Sequence, residues 1–401
     1  MNKRVINLSS FELSQNPYGL FSELRESSTP AWMDENQDIK SEGKWVFSRY
    51  DDVKQIMQIA SGVSKDISLL REKQDVTPFD SNMLTQDPPN HTRLRRIATQ
   101  AFSPGRITGL NGFIEQVSYD LISSIKDSGN EFDFIQSYAT PLPLMVIGRL
   151  LGVPMKDQKM FRDWTIALSF CFDSSNADHD VVSKKRTILS EMQTYFLHMI
   201  DLRRSNPEDD LISQLIHLQD IEGKLSSSEV LAMCMLMLFA GNDTTINLIG
   251  NGLYSLLVNP VQFDWLINDP SLVKSAIEEM LRYETPAQRT TFRVCTDEIK
   301  IRETTISKGE QICGLIGAAN RDPKYFERPE EFDIRRSPNR HISFGLGFHS
   351  CIGSFLAKTE AIYAFNSIIH HMPNIRLASD QIEWNQNSFV RGLKSLPVAW
   401  V

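Results

Sequence analysis

The stretch Phe344-Gly345-Leu346-Gly347-Phe348-His349-Ser350-Cys351-Ile352-Gly353 constrains this chain more than any other. Three glycines in nine residues call for a tight, irregular loop whose backbone turns where a side chain would not fit. Apolar residues then recur at three- and four-residue steps, through Ile352, Phe355, Leu356, Ile362, Phe365, Ile368 and Ile369, up to Pro373. This spacing predicts a helix. Cys351 is thereby placed at a helix mouth, where free backbone N–H groups and the helix dipole favour a thiolate. By residue type alone, a lone cysteine there is more often a small buried hydrophobe. A thiolate on a glycine-rich loop also suits ligation of a single metal atom.

The bulk properties narrow the class. Across 401 residues, 41% hydrophobic and 23% charged side chains suffice for a sizeable core in a globular protein. A net charge of −8 argues against nucleic acid or an anionic membrane as the main partner. The five cysteines, Cys171, Cys234, Cys295, Cys313 and Cys351, are scattered and form no C-x-x-C pair, as in a reducing compartment. Met1 to Asn7 turns polar too soon for a signal peptide. The longest apolar run, Val230 to Gly241, is about half the ~20 residues that span a bilayer. A cytoplasmic protein without a membrane anchor is expected.

Periodicity predicts a mainly α chain with a small β region. Asp87 to about Asn259 reads as helices near 91–102, 107–126, 142–151, 156–171, 183–205 and 209–219, then a longer one opening at Ser226. Pro17 to Leu24 and Asp51 to Ile59 also have helical spacing, and Trp45-Val46-Phe47 reads as a strand. Thr291 to Gly317 alternates short β-type runs with turn signals. Residues 61–86 are polar and aperiodic, so a substrate-facing lid and a mobile surface connection both remain open. No repeat, low-complexity tract or Gly/Ser linker marks a boundary, and a single domain over 1–401 is expected.

Ser226-x-x-Glu229 is a capping box. The helix it opens carries Ala240-Gly241-Asn242-Asp243-Thr244-Thr245 in its middle, where glycine, an acid and β-branched residues are poor helix formers. A Thr244 hydroxyl bonded back to the Ala240 carbonyl would bend the helix and open a groove beside Gly241. An alcohol and a carboxylate in such a groove can relay protons, although a plain kink with a polar face accounts for the same residues. Glu279 and Arg282 lie three apart on one helix face, and Glu278 with Arg282 fits the spacing equally well. His91 and Arg95, four apart after Asp87-Pro88-Pro89, share a helix face and could hold anionic groups. Arg93 and Arg96 read as a solvated basic face open to an acidic partner.

Phe344-x-x-Gly347-x-x-x-Cys351-x-Gly353 resembles the haem-binding signature of the cytochrome P450 family, and Ala240 to Thr244 resembles that family's oxygen-activating motif. Glu279-x-x-Arg282 is similar to its paired-charge motif, with Arg336 by position the second arginine. The likeness runs from about Pro17 to Val398 and is nearest to bacterial members acting on polyketide, macrolide or fatty-acyl substrates. Lys358 and Thr359 depart from the frequent arginine and leucine. The resemblance implies a P450 fold with haem b sandwiched between the long helix and the cysteine loop and helix. Cys351 is then the axial thiolate and metal ligand. His91, Arg95, Arg293 and His349 are implied to bind the propionates, and Ala240, Gly241 and Phe344 to line the haem. Asp243 and Thr244 become the catalytic residues for proton delivery and for stabilising bound oxygen, while Glu279, Arg282 and Arg336 are structural.

The implied activity is that of a monooxygenase of secondary metabolism, inserting one atom of O2 into a C–H bond of a hydrophobic small molecule by hydroxylation or epoxidation. Candidate substrates are polyketide or macrolide, fatty-acyl and steroid-like compounds. The chain carries no flavin or iron–sulfur motif, so electrons would come from a separate ferredoxin or flavodoxin and an NAD(P)H-dependent reductase, with the enzyme itself a monomer. An H2O2-dependent peroxygenase is one alternative, disfavoured by an intact Asp243–Thr244 pair; a non-catalytic haem-thiolate sensor is another. The substrate pocket is expected to draw on residues 61–86, Phe239, Asn242 and Pro286 to Thr291. Arg289 is the odd member: pointing inward it would bind a carboxylate or other polar end of the substrate, and pointing outward it would meet solvent or an acid.

Overall fold

The computed structural model describes residues 4–8, 10–33, 44–66, 69, 78–172, 179–220 and 223–400. Helices dominate, and most fall close to their sequence-based bounds: Asn90–Ala101, Pro141–Leu151, Gln158–Phe172, His179–Ser205 and Leu211–Asp220. The helix expected at 107–126 is instead two, Pro104–Gly109 and Asn111–Ser128, with Pro104 in the first turn where its missing N–H costs nothing. A short helix at Phe11–Gln15, capped by Ser10, and a turn of wider helix at Ile135–Ala139 were not anticipated.

Ser227–Leu257 is the axis of the fold. Its capping box forms as expected: Ser226 Oγ accepts from the Glu229 N–H at 3.2 Å, and Glu229 Oε2 accepts from the Ser226 N–H at 2.8 Å. A cap of this type stabilises a helix by about 1 kcal/mol. Among the described residues it is the one helix long and apolar enough to cross a bilayer, yet 78% of its most apolar window is buried inside the fold. Leu238, Leu248 and Leu253 share one core with Leu142, Phe161, Met280 and Phe365 from the surrounding helices. That apolar surface is therefore committed to the protein interior.

The small β region holds a six-stranded mixed sheet in the order Arg4–Ile6, Ala31–Met33, Lys44–Phe47, Gln311–Gly314, Arg293–Cys295, Val63–Ser64. Val63 pairs with Cys295 and Ser64 with Val294 in antiparallel register. Continuing that register sets Lys65 opposite Arg293, so two cations far apart in sequence arrive side by side. An isolated bridge from Arg289 to Leu315 extends the pairing toward the segment before the strand. Part of the lid considered at 61–86, namely 67, 68 and 70–77, lies outside the described residues.

Candidate active site

A cavity of about 320 Å³ is walled on one side by Ala240, Gly241 and Thr244 of the long helix and on the other by Phe344, Gly345, Cys351 and Gly353. The cysteine loop takes its shape from glycine. Gly345 and Gly347 hold φ of 69° and 74°, and a Cβ on Gly347 would stand 2.9 Å from the Met57 carbonyl oxygen. The Cys351 N–H donates to the Phe344 carbonyl at 2.7 Å, closing the loop, and helix Ser354–His371 begins three residues later. Cys351 is exposed on the cavity side and enclosed on the others. That enclosure pushes its thiol above the usual value, although the N–H groups of Gly353 and Ser354 and the charge of Arg95 pull the other way. The expected help from the helix mouth is present in the Gly353 and Ser354 N–H groups, although burial outweighs it for the free thiol; a bound metal ion would favour the thiolate.

Across the cavity, Thr244 Oγ1 donates to the Ala240 carbonyl at 3.2 Å, as anticipated, and Thr245 Oγ1 to the Gly241 carbonyl at 3.3 Å. The helix nevertheless runs unbroken from Ser227 to Leu257. Gly241 admits the neighbouring helix: a Cβ there would lie 3.2 Å from Ile147 Cδ1. Asp243 lines both this cavity and a second pocket of about 110 Å³ walled in part by Gln136, Arg162, Asn385 and Lys394. Phe239 lines the cavity, but Asn242 does not. It is 1% exposed and its Nδ2 donates to Thr165 Oγ1 at 2.9 Å, because position 242 projects from the opposite helix face.

His91, Arg95, Arg293 and His349 all reach the cavity. The His91 and His349 rings lie 4.0 Å apart, neither ring nitrogen of His91 has a hydrogen-bond partner, and neither has Arg293 Nε. Burial, then the charges of Arg95 and Lys65, lowers His91 to about 4; burial, then Lys65, His91, Arg293 and Arg95, lowers His349 further. Arg95 also grips the cysteine loop, donating to the Ser350 carbonyl at 2.6 Å and to Ser350 Oγ at 3.1 Å. Lys65 is a member that the sequence did not reveal. Burial, then Arg293, lowers it to about 7, while its N–H is pinned to Asp87 Oδ1 at 3.1 Å. It sits in an aperiodic polar stretch, and only the strand register brings it here. Buried cations with orphan donors fit a ligand carrying more than one negative charge, as the two propionates of a haem do. Arg93, by contrast, is not simply solvated: its Nη1 donates to the Lys224 carbonyl at 2.8 Å and to Glu229 at 3.3 Å.

The charge motif behind the loop is settled by geometry. Arg282 Nε and Nη2 each donate to Glu279 at 2.7 Å with both side chains fully buried, and Arg336 Nε donates to both Glu279 oxygens at 3.1 Å. Glu278 turns instead to His341 and Lys358.

The family profile for Cytochrome P450 matches residues 3–264 and 266–373. The polyketide biosynthesis cytochrome P450 PksS of Bacillus subtilis (strain 168) is 36% identical across 100% of this chain and 99% of its own. The crystal structure of myxobacterial cytochrome P450 CYP267B1 in complex with myristic acid gives a TM-score of 0.92 at 36% identity, covering 98% of each chain. That of P450BioI in complex with hexadec-9Z-enoic acid ligated acyl carrier protein gives 0.88 at 34% identity, covering 97% of this chain and 100% of that one. Fold and cavity together define a haem-thiolate protein, mainly α with a small β region. The chain belongs to the cytochrome P450 family. It is a monooxygenase that works with haem b held by a cysteine thiolate, takes hydrophobic substrates and depends on redox partners.

Proposed function

We propose that Cys351 is the axial ligand and that the enzyme transfers one oxygen atom of O2 to a hydrophobic acyl or polyketide-type molecule, into a C–H bond by hydroxylation or across a C=C bond by epoxidation. The observation that carries this reading is one cavity with Cys351 on one wall and Asp243 and Thr244 on the other. Its apolar lining, including Met83, Leu236, Phe239 and Leu248, supports a hydrophobic substrate, as do the polyketide role of PksS and the myristic acid bound by CYP267B1.

In this reading His91, Arg95, Arg293, His349 and Lys65 hold the propionates, and Ala240, Gly241 and Phe344 flank the porphyrin. Bound haem supplies the redox-active iron at which dioxygen is reduced and the substrate oxidised. The N–H groups of Gly353 and Ser354 donate to Cys351 Sγ and hold its charge in place. Asp243, shared by two pockets, takes protons from the polar one, and Thr244 Oγ1 passes them into the apolar one. The apolar walls keep bulk water from competing for those protons.

Electrons would be delivered by a ferredoxin or flavodoxin with an NAD(P)H-dependent reductase, docking where Phe348 and Phe355 are 50% and 45% exposed on the cysteine side and Arg96 adds positive charge. A single-domain monomer in the cytoplasm is in keeping with a core that runs from Phe79 to Val398 and with Cys234, Cys295 and Cys351 outside any disulfide. The test is turnover with a ferredoxin, its reductase and NADPH under isotopically labelled O2. One labelled atom per product supports the reading. Unlabelled product, or equal turnover with peroxide alone, would favour the peroxygenase.

A further inference from the structure

Arg289 is a cation with no assigned work. It is 2% exposed and lines the cavity. Its Nη1 makes one long contact, 3.4 Å to the Thr290 carbonyl, while Nε and Nη2 are buried without a hydrogen-bond partner. No carboxylate among the described residues pairs with it. The rings of Phe292 and Phe389 lie 4.5 Å and 5.1 Å from the guanidinium carbon, and these cation–π contacts offset part of the desolvation of the charge. Rings over the faces leave the in-plane donors unanswered.

Those donors have a definite geometry. Nε and Nη2 share one edge of the guanidinium, the edge that meets both oxygens of a carboxylate in parallel hydrogen bonds. A buried charge without such a partner is costly, and a ligand that supplies one recovers the difference.

The haem propionates do not answer this need. Lys65, His91, Arg95, Arg293 and His349 already supply donors for them at the cation edge of the cavity. Arg289 lies four positions before Arg293, a distance along the chain of up to roughly 13 Å. Around Arg289 the cavity is otherwise formed by Pro286, Ala287, Phe389 and Val390.

From this geometry we propose that Arg289 is the specificity-determining residue for an acidic substrate: an amphiphile whose carboxylate bonds Nε and Nη2 while its hydrocarbon fills the apolar cavity. The proposal rests on the cavity being the P450 active site.

Calorimetric titration of the purified holoenzyme with dodecanoic acid and with methyl dodecanoate tests it, in the wild type, Arg289→Met and Arg289→Lys. The wild type is expected to bind the acid about ten-fold or more tighter than the ester. Arg289→Met should lose that preference by weakening the acid alone, and Arg289→Lys should keep part of it. No preference in the wild type, an unchanged preference in Arg289→Met, or an equal loss for acid and ester would overturn the proposal, the last by showing a packing role. Should Arg289→Met fail to fold, Arg289→Lys decides: retained preference supports a charge contact, and preference lost with ester binding intact contradicts it. The carbonyl spectrum of the same reduced samples reports thiolate ligation separately, so failure of the P450 reading is not mistaken for failure of the anion site.

Discussion

Glu360 lies in the cysteine helix at 2% exposure, lines the cavity and has no partner for Oε2. Burial raises its pKa well above the ordinary 4.5. Above that value the unfolded chain sheds this proton while the folded chain keeps it, so the contribution is complete below pH 4.5 and is lost as pH rises. Glu360→Gln should therefore raise the thermal midpoint, with a gain that grows from about pH 5 to about pH 8; the same gain at both would contradict the buried neutral acid. Lys65→Met removes one propionate partner and should speed haem transfer to apomyoglobin by roughly ten-fold, the scale of one charged hydrogen bond. An unchanged rate would take Lys65 out of the site. At this scale Cys351, His91, Arg95 and the Asp243–Thr244 pair were visible because each lies within a compact motif or along one helix face. Lys65 was not, because its neighbours are brought by strand pairing. Asn242 was misread because its neighbours Gly241 and Asp243 reach the cavity while its own side chain leaves the helix toward Thr165.

The long helix and the charge pair behind the loop set the scale of elements. Thr244 Oγ1 is tied to the Ala240 carbonyl within a helix that stays continuous, so Thr244→Ala should leave haem content and substrate binding intact. It should divert reducing equivalents from product into hydrogen peroxide, read as the ratio of NADPH consumed to product formed; full coupling in the variant would refute the relay. Glu279→Gln leaves the fully buried Arg282 without its bidentate partner, and Arg336 with it. Breaking a buried pair of this kind costs about 3–5 kcal/mol, which denaturant titration should show as a large fall in the unfolding midpoint. A fall within about 0.5 kcal/mol would place the pair among weak surface contacts. Long helices were legible because they repeat their apolar face several times and carry a cap. Ile135–Ala139 and the three-residue strands span too few residues to show any period, and the break after Gly109 falls inside a run whose spacing continues across it.

For the molecule as a whole, the long helix and the cysteine loop are the two walls that give the cavity its chemistry, and the mixed sheet supplies the cations at its edge. The α-rich architecture followed from helical spacing, and the chemistry followed from motif likeness. Of the cation edge, residues 91, 95, 293 and 349 were implied by the same likeness, whereas Lys65 was not, since it meets them only after the strands pair. The central claim is the bond from Cys351 Sγ to haem iron, and the carbonyl spectrum of the reduced, haem-loaded protein tests it most directly. The wild type should show the red-shifted Soret band of thiolate ligation, and Cys351→Ala should lose it while remaining folded. A wild type without that band, or a Cys351→Ala variant that keeps it, would contradict the account.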